Sequence, residues 1–556
     1  MEFVYLFIGL LLLLLVKSFF DQKKHNETIR ANIRETWGKT PTEEYSEKKM
    51  EFLKAYYFAE KEADTDLDDI TWNDLNLDEI YKLLNHTSTS IGEEYLYAML
   101  RKLSFDKDVL QERGKLAEYF STHEKEREDL QFAMRQFGKL KDISIYEYIN
   151  RTDNIEVKRP WMHYVYALAF FVAIGVVFIH PGLGAIAVFA VLANNIIRYN
   201  VTKATISGYF NVFSYLLRMI EGVEMLGKTE LKGLEEYTDQ LQKDAKAFRK
   251  FKRGAGIVLG GRSVVSGISE IFLDYVRMIF HIDIIKFNNM LRELRANKQA
   301  VNRMYELIGL LDATLAIASF RELTGTYTKP ELVESKKPFM EVTNVYHPLI
   351  TNPVKNSIYQ SKPALITGSN ASGKSTFLRT VAINAVLSQT IYTSLSDSYK
   401  GSYFKVYSSM ALSDSLLNNE SYYMAEIKSL KRILDQMDKE TPILCFVDEV
   451  LRGTNTIERI SASAEILKNI AAHNVLCMAA THDIELTNIL EDDYTNYHFQ
   501  EEVKENDVLF DYKLYQGKAR SKNAIKLLGM IGYDRSIIDA ANKRANTFLE
   551  TGEWTK

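Results

Sequence analysis

The run from Gly368 to Thr376 brings two glycines, a lysine and several hydroxyl side chains together in the order GSNASGKST. It fits the pattern GxxxxGK[ST] and lies between an apolar, strand-like segment and the helix-like stretch 377–387. In such a loop the backbone N–H groups surround a phosphate, the helix N-terminus adds positive potential, and the lysine reaches the β- and γ-phosphates. The pattern predicts a site for ATP and Mg²⁺, in which the cofactor-binding residues are Gly368, Ser369, Asn370, Ala371, Ser372, Gly373, Lys374, Ser375 and Thr376.

A second element is the apolar run from Ile443 to Val447, which ends in two acids, Asp448 and Glu449. Together with the Ser375 hydroxyl, Asp448 is expected to hold Mg²⁺, and Glu449 is expected to polarise the water that attacks the γ-phosphate. Taken alone, the same run is typical of a strand that meets a solvated loop. Its position downstream of the glycine-rich loop favours ATP hydrolysis, with Lys374 and Glu449 as catalytic residues.

A third candidate, His482, closes the apolar run from Val475 to Ala480. A histidine at this place can hydrogen-bond the γ-phosphate or the attacking water. The alternative is a structural histidine at the end of a strand. We predict a catalytic role for His482, because its strand would lie close to the acidic strand in a parallel sheet.

These motifs resemble the MutS family of DNA mismatch-repair ATPases. The loop GSNASGKSTFLRT is similar to that of the family, and VDEVLRGTNT from Val447 to Thr456 resembles its acidic strand and Arg-Gly-Thr turn. Further similarities are His347-Pro348, the segment 421–426 and the segment 311–316. The resemblance implies that Ser421, with nearby Asn419, approaches the nucleotide of a second subunit, so that the chain forms a homodimer through its ATPase domain. The alternative for Ser421 is a loop serine that caps the following helix.

The sequence also departs from the family pattern. MutS proteins carry an N-terminal mismatch-reading domain with a Phe-x-Glu wedge, and we expect no such domain before residue 65. The triplet Phe58-Ala59-Glu60 lies in a helical, highly charged stretch and is interpreted as coincidence. Six lysines and arginines between Leu241 and Gly254 form a basic cluster that suits either DNA phosphates or anionic lipid headgroups. DNA is therefore a possible partner, and mismatch recognition is not implied.

Three apolar segments predict membrane spans. The first is the run from Phe3 to Val16, and the others lie between Trp161 and Ile197, separated by the turn His180-Pro181-Gly182. A signal peptide is the alternative for the first, and one kinked buried helix is the alternative for the others. Lysines and arginines that follow the first run and flank the other two place the soluble parts in the cytoplasm. We expect a multi-pass protein of the cell membrane that contacts membrane lipid.

The chain of 556 residues is long enough for several domains, and its formal net charge of -4 indicates no overall attraction to polyanions. The predicted fold class is mixed: an α-helical core or lever region with transmembrane helices, and a C-terminal α/β P-loop ATPase domain of the ABC type. The predicted domains are an N-terminal anchor (1–20), a cytoplasmic helical domain (21–160), a transmembrane hairpin (161–198), a helical lever region (199–337) and the ATPase domain with dimerisation helices (338–556). The cysteines, Cys445 and Cys477, lie in apolar runs and are expected to be buried, reduced thiols.

The sequence thus predicts a membrane-anchored MutS-like ATPase in which ATP binding and hydrolysis move helical levers. Two alternatives remain: a transport-associated ATPase of the ABC type, and an ATP-driven switch that acts on a protein partner. No LSGGQ-like stretch is present, and the Arg452-Gly453-Thr454 turn favours the first interpretation. A scaffold without turnover is disfavoured, because Lys374, Asp448, Glu449 and His482 are all retained.

Overall fold

The computed structural model describes residues 2–61, 65–155, 160–229, 231–255, 268–369, 372–410, 422–437, 440–451, 454–504, 507–519, 525, 528, 532–552 and 554. The chain divides into two compact units. Unit 1 contains residues 1–61, 85–98 and 116–322, and unit 2 contains residues 62–84, 99–115 and 323–556. The candidate chemistry of the sequence falls in unit 2, and the long apolar helices fall in unit 1.

The described helices are, in chain order, α1 (Glu2–Thr36), α2 (Glu47–Ala59), α3 (Asp69–Asp74), α4 (Leu77–Leu84), α5 (Ser90–Arg101), α6 (Lys107–Thr122), α7 (Glu124–Phe137), α8 (Ile145–Arg151), α9 (Met162–Ile179), α10 (Pro181–Leu226), α11 (Glu235–Lys246), α12 (Arg249–Lys252), α13 (Ile268–Phe280), α14 (Ile282–Ala296), α15 (Lys298–Thr324), α16 (Lys374–Thr390), α17 (Tyr422–Leu434), α18 (Thr456–Ala471), α19 (Ile484–Ile489) and α20 (Arg535–Thr551). A short 3₁₀ helix spans Thr152–Asn154.

The described strands are β1 (Glu331–Val333), β2 (Met340–Val345), β3 (Asn356–Gln360), β4 (Ala364–Thr367), β5 (Ser398–Ser402), β6 (Lys405–Ser409), β7 (Ile443–Asp448), β8 (Val475–Thr481), β9 (Thr495–Lys504) and β10 (Asp507–Gln516). They form a four-stranded sheet in the order β1-β5-β2-β3 and a six-stranded sheet in the order β10-β9-β4-β8-β7-β6. Helices and sheets together confirm the predicted mixed helical and α/β architecture.

The six-stranded sheet of unit 2 has a parallel centre. Strands β4, β8, β7 and β6 pair in parallel, and β9 and β10 form an antiparallel pair at one edge. All residues of β4, β7 and β8 are buried, as expected for parallel strands covered on both faces. Cys445 and Cys477 face each other across β7 and β8 as buried free thiols, which confirms that prediction.

Two long helices of unit 1, α9 and α10, expose many apolar side chains between residues 164 and 201. By length and composition, α9 and α10 are long and apolar enough to cross a membrane. Only 11% and 17% of their most apolar windows are buried in the structure. They are separated at His180, and Pro181 occupies the first turn of α10, where its fixed φ and missing N–H are tolerated.

The structure extends two of the sequence expectations. Helix α10 does not end near residue 198 but continues to Leu226, because no proline interrupts it and its second half is buried in unit 1. In the region 199–337, expected as a helical lever, α13 and α14 are divided at His281, which has a left-handed φ of 52°. The part before His281, α13, is largely half-exposed over residues 274–280.

A buried carboxylate ties the beginning of α5 to α15 in unit 1. Asp312 accepts hydrogen bonds from the backbone N–H of Ser88 (3.0 Å) and Thr89 (2.9 Å) and from the Thr89 hydroxyl (2.7 Å). Burial raises the pKa of Asp312 to about 6, although these donors act in the opposite direction. A Cβ on Gly92 would lie 2.1 Å from Asp312 Oδ2, so the close contact also depends on that glycine.

We expect Asp312→Asn to lower the free energy of unfolding by about 1–3 kcal/mol, because an amide NH₂ would replace one of the oxygens that accept from Ser88 and Thr89, directly before α5. The thermal unfolding midpoint of the purified full-length chain should fall by several degrees. Asp239→Asn, the same change at an exposed position of α11, is the matched control and should leave the midpoint unchanged. Equal midpoints for both variants would contradict a stabilising role of Asp312.

Candidate functional site

Three adjacent strands of the six-stranded sheet end at the same edge and carry the predicted site residues. The register pairs Thr367 of β4 with Thr481 of β8, and Asp448 of β7 with Ala480 of β8. The glycine-rich loop, Glu449 and His482 come directly after these strand ends. The sheet therefore brings together three motifs that are spread over more than a hundred residues of the sequence.

These motifs line one cleft of about 750 Å³. The predicted residues on its wall are Ser372, Gly373, Lys374, Ser375, Thr376, Glu449 and His482. Gly368 and Ser369 lie at the end of β4 next to it, and Asp448 is buried at the end of β7 with 8% of its surface exposed. Asn370, Ala371, Asn419, Ser421, Arg452 and Gly453 lie outside the described residues.

The lysine of the loop is held at the start of α16. Its side chain is buried, and its Nζ donates to the carbonyl oxygens of Gly368 (2.8 Å) and Ser369 (2.9 Å). Nζ also lies 3.3 Å from Nε2 of His482. The ammonium group is thus anchored by the loop that precedes it and points toward the other two motifs.

Glu449 and His482 form a pair across the ends of β7 and β8. Glu449 Oε1 lies 2.7 Å from His482 Nε2. The shorter of the two contacts to Nε2 is the one to Glu449, so we assign the Nε2 proton to a hydrogen bond that the histidine donates to the carboxylate. The carboxylate oxygen is thereby fixed in the wall of the cleft.

The backbone around Glu449 is unusual. Glu449 has φ 59° and Leu451 has φ 61°, and both angles lie in the left-handed region that residues other than glycine rarely adopt. The Glu449 N–H donates to Ala480 O (2.9 Å), which holds the turn against β8. Conformations of this kind carry a free-energy cost and cluster at functional sites. Here the turn directs Glu449 into the cleft.

Neighbouring ion pairs and hydrogen bonds support the same strand ends. Arg459 on α18 makes two hydrogen bonds to the carboxylate of Asp483, at 2.9 and 2.7 Å, next to His482. Helix α18 itself is capped by Asn455, whose side chain accepts from the N–H groups of Ile457 and Glu458. The first contact joins the start of α18 to the residue after His482.

The cleft contains residues that the sequence motifs did not predict as site residues. These are His347, the segment Ile350–Val354, Phe377, Thr380 and Tyr512. Burial, and the nearby Arg379, lower the pKa of His347 to about 4, so its ring is neutral at pH 7. Asn356 Nδ2 donates to Tyr512 O, and Asn356 Oδ1 accepts from the Leu514 N–H, both at 2.9 Å. This long-range contact places Tyr512 over the loop, and no local sequence pattern predicts the contact.

One family model and several curated proteins are similar to this chain. The family model of MutS domain V matches residues 364–549. The chain is 26% identical over 295 residues to the DNA mismatch repair protein MSH3 of Debaryomyces hansenii, covering 49% of this chain and 28% of that protein. It is 26% identical over 298 residues to the DNA mismatch repair protein MutS of Finegoldia magna, covering 51% and 34%. Over 265 residues it is 26% identical to MutS protein homolog 4 of Homo sapiens, covering 45% and 28%. The chain spans about a third of the length of these relatives.

Proposed function

Because its residues 364–549 and its curated relatives make this chain a MutS-family protein, we propose that it is a membrane-anchored ATPase that binds ATP with Mg²⁺ in the cleft of unit 2. One observation carries the proposal. Lys374, Glu449 and His482 arrive from three different strand ends and contact each other in a chain, Lys374 to His482 to Glu449. This arrangement is suited to phosphoryl chemistry, which depends mostly on positioning and charge. The match to MutS domain V favours a MutS-like ATPase over an ABC-type transporter.

The loop fits a phosphate group. Gly368 and Gly373 have positive φ angles of 150° and 104°. A Cβ on Gly368 would lie 2.8 Å from Ser372 Oγ, and a Cβ on Gly373 would lie 3.2 Å from Tyr512 Cδ1, so side chains would fill the space. The buried Ser372 Oγ has no hydrogen-bond partner among the described residues. A loop with open glycines, an unsatisfied hydroxyl and a buried ammonium is complementary to a phosphate oxygen.

Each side chain then has a defined task in hydrolysis. Lys374 exchanges its contacts with the loop carbonyls for the phosphates and balances their charge. Glu449 accepts the proton of the attacking water, and His482 keeps its carboxylate in place through the 2.7 Å contact. Ser375 and Asp448 are the residues that would hold Mg²⁺, which supplies further neutralisation of the phosphate charge when it is bound.

We propose that two chains complete the site as a homodimer. Ser421, the residue assigned to the partner's nucleotide, lies outside the described residues. The support for the homodimer is the resemblance of this chain to MutS-family proteins.

The membrane part of the proposal rests on the exposed apolar surface of α9 and α10. The 18 residues of α9 correspond to about 27 Å of helix, close to the hydrocarbon thickness of a bilayer. Exposed apolar side chains lie at the start of α9, along α9 and along the first half of α10: Trp161, Tyr164, Leu168, Phe171, Val172, Phe178, Ile179, Leu183, Ile186, Phe189, Ile197 and Val201. In water this surface would be costly, whereas in lipid it is favourable. We place His180 on the outer side and Arg198 on the cytoplasmic side.

Helix α10 offers a connection between the membrane segment and the soluble part of unit 1. It is continuous over 46 residues, so the segment that we place in the membrane and the buried segment of unit 1 belong to one helix. We propose that ATP-dependent movement acts on such long helices. The relatives are named as DNA mismatch repair proteins, and DNA is therefore one candidate ligand of these helices. The exposed basic side chains of α11 and α12 offer phosphate contacts, and a protein partner is the other candidate.

The proposal predicts Mg²⁺-dependent ATP hydrolysis by the purified full-length chain in a neutral detergent. Phosphate release should require Mg²⁺ and stop with excess EDTA, because the phosphate charge is then not neutralised. Adding duplex, mismatched and branched DNA at low and high salt to the same assay tests whether the partner is DNA or a protein. Stimulation that weakens with salt supports DNA, and its absence with every DNA supports a protein partner. A chain that binds no ATP would overturn the proposal.

A further inference from the structure

Unit 1 contains a second cavity, distant in sequence from the ATP cleft. It measures about 460 Å³ and lies between the start of α9 and the side of α14. Its volume is within the range of small-ligand sites, roughly 300–1,000 Å³. Trp161, Tyr164, Asn289, Arg292 and Arg295 contribute its aromatic and polar walls.

The cavity is preformed, because a buried polar network fixes α14 against α9 and α10. His163 Nδ1, in the first turn of α9, lies 2.8 Å from His281 Nδ1, directly before α14. The Tyr199 hydroxyl on α10 donates to Asp283 Oδ2 in the first turn of α14, at 2.6 Å. These contacts join the three helices. The cavity wall therefore does not have to assemble when a ligand arrives.

The electrostatics of the cavity favour an anion. Two arginines and no carboxylate are among its lining residues. Arg295 donates to the backbone carbonyls of Thr152 (3.0 Å) and Ile155 (2.7 Å), which hold the guanidinium in place without neutralising its charge. Arg292 is exposed and contacts Asn289 Oδ1, and both side chains face the cavity. A planar guanidinium beside an amide is suited to a phosphate.

The aromatic side chains indicate that the phosphate belongs to a lipid. Trp161 is 60% exposed and Tyr164 is 53% exposed, and they are followed along α9 by exposed apolar residues. Tryptophan and tyrosine in this position are typical of the boundary between headgroups and acyl chains. The cavity thus opens where a lipid would present its phosphate to the arginines and its chains to α9.

We propose that this cavity binds the phosphate headgroup of an anionic phospholipid at the cytoplasmic membrane surface. The inference rests on the membrane part of the proposed function, and it is independent of ATP hydrolysis. It assigns a role to Arg292 and Asn289, which take no part in the ATP cleft. Bound lipid would also link α9 to α14 and so to the helical unit.

The test uses the full-length chain in a neutral detergent, titrated with dioctanoyl phosphatidylglycerol, dioctanoyl phosphatidylcholine or glycerol 3-phosphate. Binding is followed by tryptophan fluorescence, with Trp161→Phe as the blank that identifies the signal of Trp161. We expect a saturable change with phosphatidylglycerol only. Arg292→Gln should weaken it about tenfold or more, because a charge-assisted hydrogen bond is lost. Asn289→Asp should weaken it as well, since the new carboxylate opposes the phosphate.

Arg218→Gln, an exposed arginine on α10 away from the cavity, is the matched control and should bind as the parent does. A fluorescence change with phosphatidylcholine equal to that with phosphatidylglycerol would overturn anion recognition. An equal change with glycerol 3-phosphate would show that the ligand need not be a lipid. Unchanged binding by Arg292→Gln would show that the cavity is not the site.

Flotation with neutral phosphatidylcholine vesicles separates the lipid site from the membrane anchor. If the chain floats but does not bind phosphatidylglycerol, the membrane anchor is retained and the lipid site is refuted. A chain that does not float refutes both.

Discussion

Replacing Glu449 with glutamine should lower kcat for ATP hydrolysis by about 10²–10⁴-fold and leave ATP affinity nearly unchanged. Glutamine has the same shape, and its Oε1 still accepts the hydrogen bond from His482 Nε2 that the 2.7 Å contact indicates. It cannot, however, accept a proton from the attacking water. The loss therefore falls on the chemical step, and single-turnover phosphate release together with equilibrium ATP binding would separate the two.

The matched control for this prediction is Glu465→Gln. Glu465 is exposed on α18, the helix that follows the Glu449 turn, so the variant makes the same chemical change outside the cleft. We expect parental rates from it. If Glu449→Gln hydrolysed ATP as fast as Glu465→Gln, Glu449 would not be the base, and the turn with φ 59° would need another explanation.

Replacing Lys374 with alanine should weaken ATP binding by about 10- to 100-fold, the effect of losing charge-assisted hydrogen bonds of roughly 1.5–3 kcal/mol. Lys374 is 5% exposed, and its ammonium group is already positioned by two loop carbonyls at 2.8 and 2.9 Å. A nucleotide phosphate that replaces those carbonyls meets a cation that requires little reorganisation. Titration with a fluorescent ATP analogue measures the change.

Lys362→Ala is the control for Lys374. Lys362 is exposed in the turn before β4, at the opposite end of the strand that leads to the loop. Its loss should alter neither ATP affinity nor the thermal unfolding midpoint. The midpoint of Lys374→Ala must also remain close to that of the parent, so that weak binding is not caused by unfolding. ATP affinity that is equal in the two variants would contradict the assignment of the loop.

The central strands of unit 2 could be predicted from sequence because parallel strands buried on both faces are continuous apolar runs. The runs beginning at Ala364, Ile443 and Val475 coincide with β4, β7 and β8. Their motifs were expected to meet, and the register of the sheet does bring Lys374, Glu449 and His482 together.

Other features depend on contacts that no local pattern encodes. Tyr512 reaches the cleft through Asn356, more than 150 residues earlier in the chain, and β10 changes register against β9 between Phe510 and Leu514. The division at His281 likewise has no glycine or proline signal. Its left-handed backbone is held by the contacts of His281 with His163 and with Asn195 O (3.1 Å). Tertiary contacts decide such positions, and sequence periodicity does not contain them.

The most direct test of a membrane-anchored ATPase is the side of the membrane on which ATP is hydrolysed. Sealed inside-out and right-side-out vesicles from cells that produce the full-length chain would be given external ATP, with vesicles containing Lys374→Ala as the background. Phosphate release above that background should occur in inside-out vesicles, and in right-side-out vesicles only after permeabilisation. Release that is equal on both sides of intact vesicles, or that is recovered only in the soluble fraction, would contradict the account.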